Sequence, residues 1–206
     1  MFKKISKIIG TICLSLPLIA NAMDHNIHQN GQVCDMHAFT QYNKYLAYNN
    51  IKLIESKIKP LVHLGNSNAP YKIIQFCNFK SNACIKNYKS LQEVYKHKKN
   101  VAIYTLYLNK YNKDQNKIHT NSHLLSYAGF SNNFIKKYIQ QEQDIYQISN
   151  KLVKILKIDH TPAVYIMTNS PTNVNDIYFS EHEDVPKYII NRALGYLQKN
   201  NKSTIA

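Results

Sequence analysis

Two short apolar runs, with one helix-patterned segment between them, constrain this chain more than anything else in it. The run "YKIIQF", residues 71–76, is mostly apolar and predicts a buried strand. The run "VAIYTLYL", 101–108, is dominated by β-branched and aromatic residues and is the clearest strand. Residues 82–97 carry Cys84, Tyr88, Leu91 and Tyr95 at helical spacing, with Ser81 placed as the N-cap. The chain must therefore build a strand–helix–strand unit. A polar connection, 109–119, leads to about 40 residues of helical patterning. Helices are expected at roughly 120–128, 132–140 and 144–157, parted by Gly129 and by the polar 141–143. "PAVYIM", 162–167, is a strand entered through a proline, "TNSPTNVND" is a turn, and "IYF", 177–179, is its short hairpin partner. Asp184 and Pro186 open a last helix reaching about Leu197.

Upstream of the strand–helix–strand unit the chain reads as a leader and an arm. Lys3, Lys4 and Lys7 precede the apolar "IIGTICLSLPLIA", and Ala20-Asn21-Ala22 gives a small-x-small cleavage pattern. That core is too short for a membrane span of about 20 residues. Residues 1–22 are thus expected to be a signal peptide, with the protein delivered to the periplasm or the exterior. Cys13 would leave with the signal. Residues 23–69 form an arm: "MDHNIHQNGQVCDMH" is polar and aperiodic, and Ala38 to about Lys59 is helical, with Leu46, Ile51, Ile54 and Ile58 as a stripe broken at Asn49-Asn50. Pro60 stops that helix, and "HLGNSNAP" reads as a turn-rich linker. This helix is expected either to cap the fold or to make a homodimer.

The net charge of +14 invites a nucleic-acid reading. Composition argues against it. Arg192 is the only arginine in a lysine-rich chain, and nucleic-acid sites favour the bidentate arginine fork. Asparagine, isoleucine and tyrosine are abundant too, as an A/T-rich coding sequence would give. No nucleic-acid partner is expected, while weak attraction to an anionic membrane remains compatible with the charge. Five glycines argue against a phosphate-binding loop, and no Gly-x-Ser-x-Gly elbow occurs.

The order of elements, with two local motifs, resembles the DsbA-like branch of the thioredoxin superfamily. The match spans residues 70–198, with the helical block, about 114–158, as an insertion and 199–206 as a polar tail. The implied fold is α/β and thioredoxin-like, with an inserted helical block and an N-terminal helical arm. In that family a strand ends in an aromatic-rich turn and delivers Cys-x-x-Cys to a helix N-terminus. "IIQFCNFKSNACIK" fits that frame, with Phe76 and Phe79 at the aromatic positions, Ser81 at the first cysteine and Cys84 at the second. The second motif is "IDHTPAVYI": the family carries a cis-proline facing the active-site helix, and Thr161-Pro162 matches it in type and place.

The departure is at Ser81. The family's first thiol attacks as a thiolate favoured by the helix N-terminus, and the second resolves the mixed disulfide. A hydroxyl does neither, so dithiol chemistry through Ser81 and Cys84 is excluded by that alignment. Four readings stay open. Cys84 is a lone thiol forming mixed disulfides; or Cys77 and Cys84 form a variant Cys-x6-Cys pair; or Cys34 on the arm reaches one of them; or the cysteines are buried hydrophobes or a structural bridge, with Ser81 only an N-cap. The cysteine count after signal removal, Cys34, Cys77 and Cys84, is odd. Pro162, with Thr161 and His160 bordering it, would hold an extended client peptide by strand addition, a role that needs no thiol.

Cleavage after Ala22 would expose Met23-Asp24-His25, whose amine, amides and imidazole can wrap Cu(II) in a square-planar set, with His25 as the side-chain ligand. The functional expectation is thiol–disulfide exchange with other exported proteins through a variant or monothiol site, drawing on a membrane-bound or soluble redox partner. The alternative is a non-catalytic peptide-binding or assembly module, and N-terminal copper binding is the third.

Overall fold

The computed structural model of the chain describes residues 32–78, 81–107, 125–126, 129–181 and 185–203. Two compact units divide it, Met1–Phe39 and Thr40–Ala206. In the first, the described part is helical backbone from Gln32 onward. Helix α1 is Gln32–Asn49, so it begins six residues before the expected start at Ala38. Apolar periodicity marks only a face that is buried, so it cannot report where a helix starts beyond that face. Asn50, at φ −109 and ψ 14, parts α1 from α2, Ile51–Ile58, where the stripe was broken in sequence.

Then follow β1 (Val62–Leu64), β2 (Tyr71–Cys77), α3 (Asn82–His97) and β3 (Val101–Tyr107). The helical block contributes α4 (Asn132–Gln140) and α5 (Glu142–Leu156). Strands β4 (Ala163–Thr168) and β5 (Ile177–Glu181) and helix α6 (Lys187–Ser203) complete the chain. No helix among the described residues is long and apolar enough to cross a membrane.

The five strands form one sheet in the order β1-β3-β2-β4-β5. Strands β2 and β3 are parallel, from Tyr71↔Val101 to Cys77↔Tyr107, with α3 as the crossover that parallel neighbours require. Strand β4 lies antiparallel to β2, and β5 antiparallel to β4. The central strands are buried along their whole length, which is why they read as apolar runs rather than alternating ones. On one face Ile73, Ile103, Val164 and Ile166 meet Leu91 and Val94 of α3 and Ile190, Leu194 and Leu197 of α6. Each such fully buried side chain contributes roughly 1.5–3 kcal/mol. The alternate residues, Lys72, Ile74, Phe76 and Tyr104 among them, face the side from which Glu55 of α2 bonds Lys72.

Strand β1 was not expected, since it lies at the head of a turn-rich stretch. It pairs antiparallel with β3, Val62↔Tyr104, and is closed by Gly65. Gly65 has φ +91, and a Cβ there would stand 2.2 Å from the Val101 carbonyl oxygen. Only glycine fits that approach. His63 of β1 then ties the edge to the helical block. Its ring stacks on Tyr88 and Phe130 and lies tilted against Phe134, and its Nε2 is 2.9 Å from the Tyr88 hydroxyl. Its Nδ1 is sealed from solvent and unpartnered among the described residues. Burial pushes its pKa down to about 3.

Candidate functional site

The site lies where β2 hands over to α3. Ser81 N–H donates to the Asn78 carbonyl at 2.8 Å, closing a tight turn whose residues 79–80, including Phe79, lie outside the described residues. Ser81 occupies the N-cap position in extended conformation, and its carbonyl accepts from Ile85 N–H at 3.2 Å. Its hydroxyl makes no capping hydrogen bond. The positive end of α3 therefore faces a neutral hydroxyl rather than a thiolate.

Cys84 stands one turn inside α3, on the side that faces the sheet. It is bridged to Cys77 at the end of β2, with Cα atoms 5.5 Å apart. Both cysteines are 0% exposed. Of the four readings open in the sequence, the bridge fits two, the variant Cys-x6-Cys pair and the structural bridge. Beneath it lies Gln75, also fully buried, a polar residue inside an otherwise apolar strand. Its Nε2 donates to Cys77 Sγ at 2.7 Å and to the Cys84 carbonyl at 3.3 Å. Gln75, Cys77 and Cys84 thus form one buried group, fixed by the alternation of β2. Cys34 falls in the helical backbone of α1.

The Thr161–Pro162 peptide bond is cis. Phe76 pairs with Ala163, so the next step of the β2–β4 register sets Pro162 beside Cys77. Pro162 is buried, Thr161 half-buried and His160 exposed. Sequence reasoning missed the residue that holds this loop. Glu181, the last residue of β5 and the partner of Ala163, accepts from the backbone N–H of Asp159 at 2.9 Å and of His160 at 2.7 Å. Two such bonds to a carboxylate fix the loop as it enters β4. No local sequence signal linked position 181 to position 160; the hairpin register makes the connection.

His25 and the rest of the expected copper-binding terminus lie outside the described residues. Among the described residues, no group of three or more His, Cys, Asp or Glu is placed to hold a metal.

No family model matches this sequence, and no curated protein matches it. Solved structures do. BcfH of Salmonella enterica Typhimurium is 12% identical, with a TM-score of 0.59 over 95% of each chain. A linker-deletion variant of Proteus mirabilis ScsC is 11% identical, with a TM-score of 0.52 over 94% of this chain and 95% of that one. The catalytic domain of Proteus mirabilis ScsC is 14% identical, with a TM-score of 0.52, and 98% of it is matched by 74% of this chain. Identities this low speak to fold alone, and the fold is the DsbA-like thioredoxin fold.

Proposed function

We propose that this chain, built on the DsbA-like thioredoxin fold, is an exported polypeptide-binding protein that keeps its sulfurs as an internal staple. The observation that carries this reading is the complete burial of both Cys77 and Cys84 in one bridge, with Ser81 at the helix N-terminus. Thiol–disulfide exchange begins when an outside thiolate reaches a disulfide sulfur, and neither sulfur is reachable in this state. The loop 159–162 supports the binding half of the reading. It presents His160 and Thr161 at the surface, beside the bridge, on a backbone pinned by Glu181. An extended peptide can add there through main-chain hydrogen bonds, and that needs no thiol. Export rests on the leader-like residues 1–22.

A second reading, exchange with clients through Cys77 and Cys84, is favoured by the seat of the bridge next to Pro162. It requires one of the two buried sulfurs to become exposed.

One experiment separates them. The folded protein is incubated with a cysteine-containing model peptide in millimolar glutathione, quenched by alkylation in denaturant, and mapped by mass spectrometry. The staple reading expects an intact Cys77–Cys84 bridge and non-covalent peptide capture by a photocrosslinker at position 160. A mixed disulfide at Cys77 or Cys84 overturns it in favour of exchange. Absence of capture sinks the binding half.

A further inference from the structure

A second polar cluster lies at the other end of β2 from the bridge. Lys72 is five residues before Cys77, roughly 16 Å along an extended strand. It is buried, with its side chain 7% exposed, on a central strand of the sheet. Its ammonium donates to Glu55 Oε1 and to the Asn169 carbonyl at 3.0 Å. An ammonium carries three protons, so one is left without a partner among the described residues. Tyr104 shares this face, since its strand partner is Ile74 and that of Lys72 is Ala102. Tyr104 is fully buried, and its hydroxyl has no hydrogen-bond partner among the described residues. Burial and the nearby Glu55 carboxylate push its pKa up to about 12, so it stays a neutral donor.

These groups line one cavity of about 160 Å³, together with Lys59 at the start of the short turn after α2 and Asn169. Packing alone explains none of this. A buried ammonium costs several kcal/mol to desolvate, and a buried hydroxyl without a partner costs about 1–3 kcal/mol. An aliphatic residue at 72 and phenylalanine at 104 would fill the same space without either cost. One Lys72 proton and the Tyr104 hydroxyl are left over, and both residues line the cavity, the hydroxyl itself closed to solvent while the cavity is empty.

The charge and size of the cavity say what would fit. Lys59 and Lys72 against Glu55 leave one net positive charge. A dianion would meet the Glu55 carboxylate, and a bare cation would meet two ammonium groups. A molecule carrying both signs on adjacent carbons matches the alternation. The volume is well below the roughly 300–1,000 Å³ of sites that take drug-sized ligands, so the occupant is small.

We propose that this cavity binds a free α-amino acid. Its carboxylate is met by Lys59, the spare proton of Lys72 and the Tyr104 hydroxyl, and its ammonium by Glu55. The site is separate from the client loop, so it stands or falls independently of the function proposed above.

The test is calorimetric titration of the full chain with each common L-amino acid, repeated for a binder with its carboxamide, with its des-amino acid and with inorganic phosphate. We expect at least one amino acid to bind, and both analogues to bind at least tenfold more weakly. Tyr104→Phe and Lys59→Ala should each weaken binding at least fivefold. Tyr104→Phe loses no internal hydrogen bond and removes a buried unpartnered hydroxyl, so its thermal midpoint should equal or exceed the parent's and a loss of binding would not reflect misfolding. No binding by any amino acid at millimolar concentration would overturn the proposal. So would binding of phosphate alone, or an affinity that Tyr104→Phe leaves unchanged.

Discussion

Position 81 holds an oxygen at a place where the resemblance sets a sulfur, and that one atom directs most of what the site can do. The helix terminus and its dipole are present, but a hydroxyl is far too weak an acid for them to ionise it. The structure therefore predicts that Ser81→Cys creates a reactive thiol without disturbing the buried bridge. Ser81 is half-buried, and α3 opens with no acidic residue in its first turn to oppose a thiolate. Alkylation of the folded variant should modify one site more than in the parent, at position 81, with its half-maximal rate below the pH of about 8.5 where an ordinary cysteine ionises. Labelling profiles against pH would read this directly. Gln75 makes the complementary point. Within an apolar strand it carries no signal of its own, because its role depends on two cysteines that meet only in the fold.

At the scale of elements, the edge strand β1 and the helical block depend on contacts that are short in space and long in sequence. Gly65 sits against the Val101 carbonyl at a positive φ, so Gly65→Ala should cost about 3 kcal/mol, measured as a lower urea midpoint. His63 couples this edge to Tyr88 of α3 and to Phe130 and Phe134 of the block. Its pKa in the fold, about 3, lies below its ordinary 6.5. Between those values the unfolded chain binds the extra proton and the folded chain does not. The His63 contribution to stability is therefore complete above about pH 6.5 and falls as pH drops towards 3, by no more than about 1.4 kcal/mol per unit. His63→Phe keeps a ring in the stack and removes the titration. Urea unfolding at pH 7 and pH 5 should show a smaller loss for the variant than for the parent.

For the whole molecule, the Cys77–Cys84 bridge closes a loop of short span, seven residues apart in sequence. Loop closure of that length limits its contribution to about 2–3 kcal/mol. Replacing both residues, as Cys77→Ala with Cys84→Ala, adds the loss of buried sulfur packing on both sides of the turn. The double variant should still fold, because the sheet and both helical layers do not depend on the bridge. Its thermal midpoint should fall by roughly 5–10 °C or more, read by calorimetry. Under the staple reading it should also retain peptide capture at 25 °C. Under the exchange reading, any covalent trapping would vanish.

The sequence by itself determined strands β2, β3 and β4 to within a residue or so at their described ends, the helix after Ser81, the hairpin and the last helix, because each shows its own period or composition. It also supplied the place of Pro162 and the serine at 81. Tertiary structure decided the rest. Whether Cys77 pointed into the core or toward Cys84 followed from the β2–β3 and β2–β4 registers, since a shift of one residue would turn that side chain to the other face. Strand β1 exists because β3 offers an edge to three residues that have no strand signal of their own. Glu181 reaches Asp159 and His160, and Lys72 meets Glu55 and comes to share a cavity with Tyr104, only once the sheet has assembled. Local pattern is written in the bonds a segment makes with itself or in the face it buries. A site made of side chains from three elements leaves no such period to read, so only the packing of those elements could bring it together.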